Sequence, residues 1–153
     1  MHMEQPTKAI SWNEIEELAQ ELADAIRASG FNPDYLFGIA VGGLVPLALL
    51  SRALKVKNVV TISAHAYEFD STKRGELVVT HMPAIDVQGK KVLLIDEIAD
   101  SGETLTHLAR LLRERCNIGE LKTATLVVHQ EHCKSRPDFF VLATDQWVVF
   151  PLE

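Results

Sequence analysis

Apolar residues along this chain follow two patterns: short uninterrupted runs bounded by glycine or charge, and longer stretches in which they recur every third or fourth position. The first long stretch begins with helix-start chemistry. Ser11 stands as a cap, Glu14 three residues later completes a capping box, and Ile10 and Ile15 flank it as a hydrophobic staple. Ile15, Leu18, Ala19, Leu22 and Ile26 then share one helical face, and the helix is expected to stop near Gly30. That stripe suits a sheet-covering helix, and a stripe on a partner-binding helix would look the same. Tyr35 to Ala40 reads as a strand that enters Val41-Gly42-Gly43 and a helix through Ala53. Asn58 to Ser63, rich in β-branched residues, reads as another strand. A polar, glycine-ended segment at about 66–76 separates it from Glu76 to Thr80 and resembles a hairpin or lid. Further strands are predicted at Val92 to Ile95, Lys122 to Val128 and Asp138 to Leu142, with Leu105, Leu108, Ala109, Leu111 and Leu112 forming the face of the helix between the first two.

Strands alternating with helices, and turning at glycine or acidic elbows, imply an α/β fold: a doubly wound, mostly parallel sheet with its site at the carboxyl edge. At 153 residues the chain suits a single domain spanning 1–153. The run Val92 to Ile95 has no polar face, as expected for a strand covered on both sides. Its sequel carries the most chemistry in the chain. Asp96 and Glu97 follow it, then Asp100-Ser101-Gly102-Glu103-Thr104 leads into the helix. Amides at a helix start lack internal partners and sit at the positive end of the dipole, so a turn with Gly102 and the hydroxyls of Ser101 and Thr104 suits a phosphate. The carboxylates repel that phosphate and call for neutral hydroxyls or a divalent cation instead. A ligand with a phosphate at one end and a sugar diol nearby meets both demands. A helix cap at Ser101 would explain the turn but not the paired acids at the end of a buried strand.

Charge and composition narrow the partners. A net charge of −6 argues against a general nucleic-acid surface. Cys116 and Cys133 are isolated thiols, which fits reduced cysteines in a cytoplasmic protein better than a disulfide framework. No signal peptide is visible at the N-terminus, no apolar run reaches membrane-spanning length, and no Walker A or Gly-x-Gly-x-x-Gly pattern is present.

The segment from Val92 to Leu105 closely resembles the phosphoribosyl pyrophosphate motif of type I phosphoribosyltransferases: an apolar strand, two acids, two small or apolar residues, then Asp-Thr/Ser-Gly-x-Thr. The resemblance covers most of the chain and is nearest to bacterial xanthine-guanine and archaeal purine members. It implies transfer of a phosphoribosyl group to a purine base, with Mg2+ as cofactor, a homodimer or homotetramer, and no nucleic-acid or membrane partner. It implies that Asp100 accepts the base proton, Asp96 holds the ribose diol, Glu97 and Asp96 lie nearest the metal, and Ser101, Gly102, Glu103 and Thr104 grip the 5′-phosphate. Val41, Gly42 and Gly43 then match the pyrophosphate loop, although such a glycine pair also serves an ordinary turn. Lys73 and Arg74 match a mobile loop that closes over the leaving group, or are solvated at a loop tip. His129, Lys134, Trp147 and Val148 match the base site within a hood at about 129–153, although a histidine at a strand end or a tryptophan near a terminus is also common in plain packing. Three positions depart from the pattern: Val41 where relatives carry Arg, Glu97 where they carry Asp, and His129 where they carry Lys. Val41 and His129 keep open a second reading, a non-catalytic regulator that senses phosphoribosyl pyrophosphate or a nucleotide, against which Asp96, Glu97 and Asp100 stand.

Overall fold

The computed structural model describes residues 6–66, 77–82 and 84–152. Its centre is a six-stranded sheet in the order β4-β3-β2-β5-β6-β7. These strands are β2 (Tyr35–Ala40), β3 (Val59–Ala66), β4 (Leu77–His81), β5 (Lys91–Ala99), β6 (Glu120–His129) and β7 (Leu142–Thr144). All neighbours run parallel except β4, which returns antiparallel along β3 at one edge. Three helices, α1 (Trp12–Ala28), α2 (Leu44–Leu54) and α3 (Glu103–Cys116), cover the faces. The fold is therefore the doubly wound, mostly parallel sheet that the alternating pattern predicts. No helix among the described residues is long and apolar enough to cross a membrane.

Strand alternation explains how the layers divide. In β5, Leu93 and Ile95 pack into the cluster with α1 and α2, whereas Val92 and Leu94 pack with α3. All four are fully buried, so this strand has no solvent face to make polar. The start of α1 forms as read: Glu14 N–H donates to the Ser11 hydroxyl at 3.1 Å and the Ser11 N–H reaches the Glu14 carboxylate at 3.4 Å. Ile10 and Ile15 are both buried in the same cluster. Gly30 follows the helix at φ +84°, a conformation that costs glycine little.

Several boundaries differ from the sequence reading. Strand β5 does not end at Ile95. It continues through both acids, and its pairing with β6 runs as far as Ala99 opposite Val128. The strand expected at Asp138 to Leu142 lies further on, at Leu142–Thr144, because the Asp138 carboxylate is taken up by the Thr123 N–H at 2.8 Å and only Phe139 makes an isolated bridge, to Ala124. A strand not anticipated at all, β1 (Thr7–Ala9), pairs in parallel with β8 (Trp147–Val149) as a separate two-stranded sheet. The antiparallel β3–β4 pair fits the expected hairpin, and its tip, with Lys73 and Arg74, lies outside the described residues.

Candidate active site

Two strand-to-helix turns meet at the carboxyl edge of the sheet. The first, Val41-Gly42-Gly43, links β2 to α2 with Gly43 as the helix cap. A Cβ on Gly43 would stand 2.7 Å from the carbonyl oxygens of both Ile39 and Ile95, so only glycine lets this helix start sit directly on the two central strands. Gly43 N–H and Leu44 N–H already donate to Ile39 and Val41 carbonyls. Val41 is 73 % exposed and supplies no charge.

The second turn, Asp100-Ser101-Gly102, links β5 to α3. Gly102 caps the helix at φ +87°, and a Cβ there would run into the Ser135 carbonyl, so both backbone conformation and close packing require glycine. The Ser101 hydroxyl accepts from Glu103 N–H at 3.2 Å, while its carbonyl accepts from Lys134 N–H at 3.2 Å. Ser101 therefore does tie down the helix start from one position upstream of the cap. A cavity of about 130 Å³ opens beside this turn, lined by Asp96, Ile98, Asp100, Ser101, Gly102 and Thr104 among others. It combines a helix N-terminus, two hydroxyls and two carboxylates.

Because Asp96 and Glu97 are consecutive in a strand, their side chains diverge. Asp96 lines the cavity by α3. Glu97 turns to the other turn, where its carboxylate lies so close to Gly42 that a Cβ would come within 2.8 Å of Oε1. The two acids thus serve the two turns, one each. Burial pushes the Asp96 carboxyl up to about 7, against the opposing hydrogen bond from Glu97 N–H at 2.8 Å. A carboxylate this costly to ionise gains most from a ligand that brings donors or positive charge. Asp96 and Glu97 are hard oxygen donors, the kind of group that suits Mg2+.

The 130–137 loop folds back over the second turn and joins the site through groups the sequence reading did not single out. His132 Nδ1 lies 3.5 Å from Asp100 Oδ1, and both side chains are about half exposed. The His132 ring stacks on that of His129 with centroids 3.9 Å apart, and His132 N–H donates to His129 Nδ1 at 3.1 Å. Asp100, His129 and His132 each present a ligand atom within 4.8 Å of the others. The accepted N–H already uses the Nδ1 lone pair of His129, so the trio is a hydrogen-bonded and stacked cluster before it is a metal site. The only sequence signal for His132 is its three-residue spacing from His129. Cys133 beside it is a packing residue, its thiol pushed up chiefly by burial, with Arg136 and a Ser135 hydrogen bond opposing.

The remaining predicted base residues are spread around this edge. His129 ends β6 with its side chain buried. Lys134 touches the second turn through its main chain, and the residue is exposed. Trp147 is 48 % exposed on β8, whereas the Val148 side chain is sealed in the core beside Phe150, which leaves Val148 only main-chain groups to offer.

The similarities of the chain agree with this geometry. It is 28 % identical over 149 residues to the xanthine-guanine phosphoribosyltransferase of Cereibacter sphaeroides, covering 93 % of this chain and 84 % of that one. The crystal structure of a purine phosphoribosyltransferase from Pyrococcus horikoshii superposes with a TM-score of 0.84 at 27 % identity, over 96 % of this chain and 93 % of the other. A xanthine-guanine-hypoxanthine phosphoribosyltransferase from Helicobacter pylori, at 24 % identity and covering 96 % and 94 % of the two chains, shares the fold with a TM-score of 0.84. Residues 11–153 match the phosphoribosyl transferase domain, and with both turns, the paired acids and the parallel sheet in place, the chain belongs to that family.

Proposed function

We propose that this protein transfers the 5-phosphoribosyl group of phosphoribosyl pyrophosphate to a 6-oxopurine base, giving a nucleoside monophosphate and pyrophosphate. The observation that carries this is the cavity between Asp96 and the start of α3, which offers hydroxyls and a helix dipole at one end and carboxylates at the other. The 5′-phosphate is held by the turn from Ser101 to Thr104 and the ribose hydroxyls by Asp96. The pyrophosphate lies along Val41 to Gly43 beside Glu97, with Lys73 and Arg74 as further cations. The C1′–oxygen bond breaks with its electron pair leaving on pyrophosphate, and a base nitrogen forms the new bond to C1′. The ribosyl centre carries positive charge meanwhile, as in glycoside cleavage. Asp100, half exposed at the cavity wall, takes the proton that the base gives up. Bound Mg2+ would neutralise pyrophosphate, with Glu97 and then Asp96 its nearest carboxylates. Trp147 stacks on the base, and main-chain groups at Val148 read its edge, under a hood formed by the C-terminal stretch. His129 and Lys134 are the donors to its exocyclic oxygen.

The test is turnover with phosphoribosyl pyrophosphate, Mg2+ and a panel of bases, following nucleotide formation. Product from guanine, xanthine or hypoxanthine is expected. The exposed Val41, in place of a guanidinium, favours the sensing protein as a second reading. Binding of phosphoribosyl pyrophosphate without product from any base would decide for it.

A further inference from the structure

A lysine at the end of β6 would donate to a base oxygen whatever its surroundings, whereas an imidazole does so only if the correct nitrogen carries the proton. His129 has that choice made for it. Its Nδ1 accepts the main-chain N–H of His132 at 3.1 Å, and a nitrogen that accepts an N–H has no proton of its own. The proton of the neutral ring is therefore on Nε2. The turn that supplies this N–H is itself closed, because Cys133 N–H donates to the His129 carbonyl at 3.1 Å and Gln130 N–H to Thr144 at 3.0 Å. The His132 ring stacked over His129 restricts rotation further. Nε2 has no hydrogen-bond partner among the described residues, yet no buried side-chain nitrogen or oxygen among them is left unsatisfied. Nε2 therefore keeps some exposure, on a ring with a nitrogen within 4.8 Å of a ligand atom of Asp100 and of His132.

We propose that His129 recognises the base as a neutral donor through Nε2–H, with its tautomer set by the main-chain N–H of His132. This rests on the transferase reading of the site. Together with Asp100 it presents one donor and one acceptor, the complement of a carbonyl oxygen beside a ring N–H. A 6-amino base would set its own N–H groups against Nε2–H and leave both donors unpaired, which is how polar sites reject close analogues. His132 is accordingly a positioning residue: it sets the tautomer through its backbone and borders Asp100 through its ring.

The experiment pairs imidazole 15N NMR of the whole protein with ligand titration. In the free protein His129 should show a protonated Nε2 and an unprotonated Nδ1. His132→Ala keeps the main-chain N–H and should leave that tautomer unchanged, whereas His132→Pro removes the N–H and should release it. Guanosine monophosphate should shift the Nε2 resonance, and adenosine monophosphate should bind at least about tenfold more weakly. His129→Phe should raise KM for guanine by about tenfold or more with a smaller change in kcat, and His129→Gln, which restores an N–H donor, should recover most of it. A proton found on Nδ1, or guanosine monophosphate bound with Nε2 unmoved, overturns the assignment. If nucleotide neither binds nor forms while the NMR shows the expected tautomer, the transferase reading fails and recognition by His129 falls with it.

Discussion

The two strand-to-helix turns at the head of the sheet are built from similar parts and do different work. Both depend on glycine and both point a helix start into the site. The turn after β2 carries no charged or hydroxyl side chain and is rigid through packing: Gly43 is pressed onto two strand carbonyls and Gly42 onto the Glu97 carboxylate. The turn after β5 carries Asp100, Ser101 and Thr104 and is held by one hydrogen bond from Lys134 N–H of a distant loop and one from its own Glu103 N–H. On the proposed function, one supplies a surface and the other supplies reacting and gripping groups. Selectivity and proton transfer should therefore be sensitive to side chains in the second turn, whereas in the first only the exposed Val41 should tolerate or even reward a larger side chain, since Gly42 and Gly43 have no room for one.

The largest effect should come from Asp100→Ala. Turnover is expected to fall about 10²- to 10⁴-fold with the melting temperature nearly unchanged, since that side chain is about half exposed, and steady-state assays with a thermal melt check both halves. Near-normal turnover would remove the asymmetry between the turns. Gly102→Ala comes next. It forces a side chain into a left-handed backbone and into the Ser135 carbonyl, so about 1–3 kcal/mol of stability should be lost, along with most affinity for phosphoribosyl pyrophosphate. Denaturant unfolding and calorimetric titration read these two quantities.

Asp96 gives a pH test. Its folded carboxyl is raised to about 7, above the ordinary carboxylate value, so between those two values the native state holds a proton that the unfolded chain has lost. Stability from this group is greatest at low pH and is lost as pH rises through about 7. Ligand binding should run the opposite way, because ribose hydroxyls and a cation favour the ionised form. Affinity for phosphoribosyl pyrophosphate should thus climb up to about tenfold per pH unit below about 7 and level off above it, and Asp96→Asn should flatten both profiles. The smallest effect is a gain: Val41→Arg, at a 73 % exposed position, should tighten pyrophosphate binding by about tenfold without loss of stability. No gain would mean that another cation already fills that role.

How much of this was legible in the sequence depends on whether a feature is local. The capping box of α1 and the short glycine turn before α3 are defined by neighbours a few residues apart, and both form, although the two acids lie inside β5 rather than in an elbow after it. Strand β5 was cut short at Ile95 because carboxylates interrupt an apolar run, although the backbone pairing that defines a strand ignores side-chain polarity. Strand β1 had no signal, since Thr7-Lys8-Ala9 has neither alternation nor bulk and is a strand only because β8 lies beside it. His132 and the Ser135 carbonyl were invisible for the same reason. Their contacts to Asp100 and Gly102 join segments far apart in the chain.

The pairing of β1 with β8 ties the beginning of the molecule to the ring proposed to stack on the base. Trp147 N–H donates to the Pro6 carbonyl at 2.8 Å, and Thr7 lies opposite Trp147 in the register. Removing Pro6 to Ala9 is therefore expected to change how Trp147 is held. An investigator who deletes Pro6 to Ala9 is expected, on the proposed role of Trp147, to shift nucleobase preference without having touched the acidic turns.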